Sequence, residues 1–127
     1  MLDTFTAENK LDENGNPAGG HVNGKGLNIQ WQKKPLGRGA EKVEPTGAFI
    51  ETVIAAVIQR IESYQKSKFV SKENSEAIGF LKSALTVLEA RTARREAQGV
   101  KGTHGLDVIV KVEAPVPLAP ELVGAAK

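Results

Sequence analysis

Two apolar stripes at helical spacing, joined by a very short link, restrict this chain more than any other feature of its sequence. From about Gly47 to Lys66 the residues Ile50, Ile54, Val57, Ile61 and Tyr64 recur at intervals of four and three, and Phe49, Val53 and Ile58 widen the stripe. The β-branched members lower intrinsic helix propensity, so this helix depends on a partner face. From about Lys72 to Gln98 the residues Ala77, Leu81, Ala84 and Leu88 supply one, reinforced by Ile78 and Leu85. Ser71 suits the N-cap of this second helix and Gly99 its C′ position. A link no longer than Ser67 to Ser71 forces the two helices into an antiparallel hairpin.

Strand signals flank the hairpin. Leu27, Ile29 and Trp31 alternate with Asn28, Gln30 and Gln32, the period of a half-buried strand, and Asn23-Gly24 just before them suits a tight turn. After Gly99, Leu106, Val108, Val110 and Val112 alternate in the same way. Residues 1–20 carry Asn14-Gly15-Asn16-Pro17 and Gly19-Gly20 without apolar periodicity, and read as an arm or loop. Pro35 to Pro45 is glycine-rich and charged, a connection from sheet to helix. The expected fold is α+β: a small antiparallel sheet with a long two-helix hairpin, in an oligomer. One domain spans 21–113, with a β region at 21–45, the hairpin at 47–98 and a strand at 106–113, followed by a loose tail at 114–127.

At 127 residues the chain buries only a modest core, which favours association. Cysteine is absent, so disulfides, thiolate metal sites and cysteine nucleophiles are excluded, in keeping with a reducing cytosol. Met1 to Lys10 lacks the apolar run of a signal peptide, and nothing approaches the roughly 20 apolar residues of a membrane span. The expected location is therefore the cytoplasm, with no membrane partner. A net charge of +2 is too small for bulk nucleic-acid binding. Its distribution says more: Lys25, Lys33, Lys34, Arg38 and Lys42 face only Glu41, and Arg91, Arg94, Arg95 and Lys101 face only Glu96. These are either two solvated basic faces or two walls of an anion pocket.

Catalytic signatures are missing. There is no phosphate-cradling loop ending in Lys-Ser/Thr, no HExxH pair and no nucleophile elbow. His21 and His104 are expected in glycine-rich loops with no carboxylate or nucleophile placed to orient them, and Glu62, Glu73, Glu76 and Glu89 occupy solvent-suited helical positions. Neither catalysis nor a metal or organic cofactor is expected. The informative set is Tyr64, Asn74, Arg91 and Arg95. An aromatic face stacks on a base, an amide reads a base edge, and arginine forks match phosphate oxygens. Each has a packing alternative: Tyr64 as the last core residue, Asn74 as a cap, the arginines as a helix end favoured by the macrodipole. Helical rise separates Asn74 from Arg91 by roughly 25 Å, so one ligand can meet both only if a second, antiparallel protomer supplies the arginines.

The runs "GLNIQWQKKPLG", "AFIETVIAAVIQRIESYQ", "FVSKENSEAI" and "LTVLEARTARREAQGVKGTH" resemble the first Thoeris anti-defence family of bacteriophages, over about Leu27 to His104. That family shares a helical-hairpin domain with phage sponges directed against CBASS cyclic-nucleotide signalling. The resemblance implies a non-catalytic sponge that binds glycocyclic ADP-ribose made by a TIR-domain enzyme in the host cytoplasm. It places the base-stacking aromatic on Tyr64, the polar turn contact on Asn74 and the phosphate arginines on Arg91 and Arg95. Some members form trimers of dimers and also hold cyclic di- or trinucleotides, so the partner set includes that ligand class and either a homodimer or a hexamer. This chain departs from the pattern in carrying tyrosine where phenylalanine is common, and Lys72 where arginine is frequent. Gln32, Lys34 and Arg38 are secondary wall candidates, Trp31 shares the parity of the strand core, Phe69 suits either stacking or packing, and Thr103 with His104 shapes or lines the turn after the second helix. Two other classes compete: an enzyme that opens the same messenger, and a basic nucleic-acid accessory protein whose affinity would fall steeply with salt.

Overall fold

The computed structural model describes residues 2–99, 101 and 103. The expected strand at 106–113, the tail at 114–127 and His104 lie outside the described residues. In chain order the elements are β1 (Phe5–Leu11), β2 (Pro17–Gly24), β3 (Leu27–Trp31), a 3₁₀ turn (Gly39–Glu41), α1 (Ile50–Gln65) and α2 (Lys72–Ala97). The strands form one antiparallel sheet in the order β1-β2-β3, and the helices form the hairpin, so the architecture is α+β.

The first twenty residues are not an arm. They hold β1 and the start of β2, joined by a turn in which the Asp12 carboxylate accepts the Asn14 and Asn16 N–H groups at 2.9 Å each and Gly15 takes φ 80°. Apolar alternation fails to reveal β1 because every residue of the strand is exposed; pairing with β2, not burial of a face, holds it. His21 likewise stands within β2, opposite Glu8 and Gln30, and not in a loop. Gly19 and Gly20 are compatible with a strand here because they sit beside an irregularity in the β1–β2 register. The turn into β3 also differs from expectation. Gly24 pairs with Leu27, leaving Lys25-Gly26 as the two-residue loop, with Gly26 at φ 73°.

The chain reaches α1 by running alongside β3. Ala48 forms a parallel bridge with Trp31, its N–H donating to the Gln30 carbonyl at 2.7 Å while its own carbonyl accepts the Gln32 N–H at 3.0 Å. This use of the backbone delays the helix start from 47 to Ile50. The amide of Gln32 fastens the same junction: Oε1 accepts the N–H groups of Thr46 and Gly47 at 2.8 Å each, and Nε2 donates to the Lys34 carbonyl at 3.0 Å.

Within the hairpin the packed line of α1 runs through Ile54, Ile58, Ile61 and Gln65, and meets the half-buried Ala77, Ile78, Leu81, Ala84, Leu85 and Leu88 of α2. Ile58, 6% exposed, is the one buried apolar residue among those described. A second line on α1, Ile50, Val57 and Tyr64 at intervals of seven, stays 55%, 43% and 43% exposed. Lys82 reaches Glu62 across the hairpin at 3.9 Å. At its far end α2 stops as expected, with Gln98 as C-cap and Gly99 at φ 75°.

Close backbone approaches are tightest at two glycines. A Cβ on Gly20, at φ 135°, would stand 2.0 Å from the Glu8 carbonyl oxygen, and one on Gly47 would stand 2.6 Å from the Trp31 carbonyl. Gly79, inside α2, has open space around its Cβ position. Thermal unfolding at matched protein concentration should show Gly20→Ala and Gly47→Ala each destabilised by about 2 kcal/mol or more, and Gly79→Ala stabilised by up to about 1 kcal/mol. Wild-type melting of Gly20→Ala would contradict the β1–β2 register.

Candidate functional site

Of the candidate residues, Tyr64, Phe69 and Asn74 come together at the tip of the hairpin. The link there is closed by its own hydrogen bonds. Ser67 Oγ donates to the Tyr64 carbonyl at 2.6 Å and accepts the Phe69 N–H at 3.0 Å, which reverses the chain immediately after α1. Ser71 caps α2, its Oγ accepting the Asn74 N–H at 3.0 Å. Asn74 is thus not the cap. Its side chain turns back into the link, where Nδ2 donates to Gln65 Oε1 at 3.2 Å and to the Phe69 carbonyl at 3.4 Å.

Both aromatic rings at the tip are open. Tyr64 is 43% and Phe69 65% exposed, so neither closes a core within the protomer. Each carries a cation beside it: the Arg60 guanidinium carbon lies 5.0 Å from the Tyr64 ring centroid, and Lys68 Nζ lies 5.4 Å from that of Phe69. Arg60 Nη2 also donates to the Tyr64 hydroxyl at 3.3 Å. Sequence reasoning overlooked Arg60 and Lys68. The signal for Arg60 was available, because residues four apart on a helix are neighbours.

The arginines occupy the opposite end of α2. Arg91 is exposed, while Arg94 and Arg95 are half-buried in the last turns, where cations suit the helix dipole. Arg95 Nη2 donates to the Thr103 carbonyl at 3.2 Å, and the Lys101 N–H returns to the Arg95 carbonyl at 3.2 Å. Arg38 reaches the same place from the loop after β3, with Nη1 donating to the Lys101 carbonyl at 3.1 Å. The two basic segments therefore meet, through Arg38, on the turn that follows α2. Lys34 stands apart from them, in a cleft of about 390 Å³ lined with Asp12, Pro17, Ala18, Lys33 and Pro35.

The candidate residues accordingly fall into two separate groups. The tip offers ring faces and an amide; the far end offers guanidinium groups; and α2, an unbroken helix of 26 residues, holds them apart. Among the described residues no three His, Asp or Glu side chains cluster as metal ligands, and no helix is long and apolar enough to cross a membrane. Of the glutamates in the hairpin, Glu62 pairs with Lys82 and Glu76 with Lys72. His21 faces Glu8 across the β1–β2 pair, with Nε2 4.0 Å from the carboxylate, in the sheet and away from both groups of candidate residues in sequence.

No family model matches the chain. A phage protein described as Thoeris anti-defense 1, from Bacillus phage SBSphiJ7, is 48% identical over 58 residues, which are 46% of this chain. The matched stretch spans only 41% of that relative's length. Over this stretch the chain is similar to a phage protein that bears the Thoeris anti-defence name.

Proposed function

We propose that the protein is a Thoeris anti-defence sponge: it binds glycocyclic ADP-ribose in the host cytoplasm and withholds it from its effector without altering it. The observation that carries this reading is the division of a nucleotide-recognition set between the two ends of one 26-residue helix. Tyr64 would stack on the base and Asn74 contact its edge, while Arg91 and Arg95, with Arg38 beside them, would take the phosphates. A single protomer holds those groups roughly 25 Å apart, too far for one small ligand. Two protomers packed antiparallel about a two-fold axis would bring the tip of each against the arginine end of the other, giving two equivalent composite sites.

Two further points favour association. The line Ile50, Val57 and Tyr64 is left uncovered, and the protomer buries little apolar surface of its own. The phage relative's name supports the anti-defence role, and the sponge activity and the ligand are what the sequence resemblance implies. Cyclic di- and trinucleotides are a second ligand class within the same proposal, taken up if dimers assemble further into a hexamer.

The test is to incubate the purified protein with glycocyclic ADP-ribose and with cyclic di- and trinucleotides, remove unbound material by filtration, heat the protein and identify what it releases. Recovery of the intact messenger is expected; a cleaved product would replace the sponge with an enzyme. Tyr64→Ala and Arg91→Ala should each lose retention while keeping the oligomer size of the wild type in sedimentation. Co-expressing the two variants provides a sharper check, because a mixed dimer has one site carrying both substitutions and one carrying neither. Random pairing should then restore about a quarter of the sites. No restoration from properly mixed dimers would place both residues in a site within one protomer.

A further inference from the structure

The hydrogen bonds at the hairpin tip fix the orientation of two amides, and that orientation determines what the tip can recognise. Gln65 is held by the backbone of Ser71 in both directions: the Ser71 N–H donates to Oε1 at 2.9 Å, and Nε2 donates to the Ser71 carbonyl at 3.0 Å. A backbone N–H can only donate and a carbonyl only accept, so the Gln65 amide has one possible orientation. Its Oε1 therefore faces Asn74 as an acceptor, and so does the Phe69 carbonyl. Two acceptors oblige Asn74 to present Nδ2 to both, at 3.2 and 3.4 Å, which commits the two hydrogens of that amide. The remaining polar atom of the side chain is Oδ1, which can only accept.

We infer that Gln65 is a positioning residue that makes Asn74 an acceptor-only contact, so that the tip selects a base through an exocyclic amine or ring N–H, not through a ring nitrogen or carbonyl. The inference rests on the proposed sequestration site and adds to it the polarity of one contact. An asparagine free to rotate would accept either kind of edge by exchanging its oxygen and nitrogen. Here that exchange would set the Oδ1 of Asn74 against the Oε1 of Gln65 and the carbonyl of Phe69, and would leave the partly buried Nδ2 without these partners. Tyr64, the residue before Gln65, is 43% exposed at the same tip, and on the proposed reading it stacks on the base whose edge Asn74 contacts.

The experiment compares glycocyclic ADP-ribose with its counterpart in which adenine is replaced by unsubstituted purine, which stacks similarly but carries no amine. Equilibrium dialysis with the wild type should give at least about tenfold weaker binding of the purine compound, as expected for an acceptor left unpaired in a closed site. In Gln65→Leu the Asn74 amide is released and the ratio should fall towards unity. In Gln65→Glu a side-chain oxygen still accepts from Asn74, and the preference should persist. A residue that merely stabilised the link would weaken both compounds equally and leave their ratio unchanged. Equal wild-type affinity for the two compounds overturns the inference without any variant having to fold, and so does an unchanged ratio in folded Gln65→Leu. Failure of the wild type to bind either compound overturns the sequestration reading itself, whereas equal binding of both leaves that reading standing and removes only this one.

Discussion

A chain that reverses direction between two helices must satisfy the last carbonyls of one and the first N–H groups of the other within a few residues. In this hairpin those obligations are met by short polar side chains: Ser67 serves the end of α1, Ser71 the start of α2, and Gln65 and Asn74 bind the two together. Side chains occupied in this way leave the large apolar residues of the link nothing to pack under, and Phe69 and Val70 remain about two-thirds exposed, at 65% and 60%. The same hydrogen bonds that make the turn tight thus create a rigid tip that displays ring faces. On the proposed reading, hydrogen bonds that fix these groups in advance would lower the ordering cost of binding.

The sheet obeys a different constraint. Its strands pair through the backbone, β1 shows no buried face, and the join to the helices rests on the Trp31–Ala48 bridge and the Gln32 amide. Such a sheet tolerates polar residues on both faces but not bulk at points of close approach, which is why Gly20 and Gly47 matter more than its apolar residues. Arg38 forms a second tie, from the loop after β3 to the carbonyl of Lys101, so that the sheet side of the molecule and the arginine end of α2 share one turn.

The helices were legible in the sequence because period and caps agreed: Ser71 and Gly99 stand where the pattern put them. β1 was not legible, since a strand without a buried face has no alternation to read, and polar Thr6, Glu8 and Lys10 look like a loop. The buried line of α1 was legible only approximately. Spacings of three and four fit both 50-57-64 and 54-58-61, and the choice between them depends on how the helices are rotated, which a single stripe does not encode. At the tip, residue types pointed to Tyr64 and Asn74, but the part played by Gln65 depends on the closure of the link and on both backbone groups of Ser71. Gln32 shows the converse: a polar residue on an apolar-alternating strand suggests a binding wall, yet its amide is used in joining the strand to the helix.

On the proposed reading, recognition and association would be coupled through the geometry of α1. Val57 and Ile50 lie seven and fourteen residues before Tyr64 on the same side of the helix, and all three are open to solvent in the protomer. On the proposed reading, a second copy covering Ile50 and Val57 would come to lie beside the Tyr64 ring, where the Arg60 guanidinium already sits on one side. Apolar burial would then draw the protomers together, and the ligand would fill the remaining gap between ring and arginines. A ligand touching both protomers stabilises their association by mass action, and association in turn slows its release. If the protein holds a messenger and does not transform it, as proposed, slow release is the functional requirement, and an interface site would meet it with fewer residues than an enclosed pocket in so short a chain.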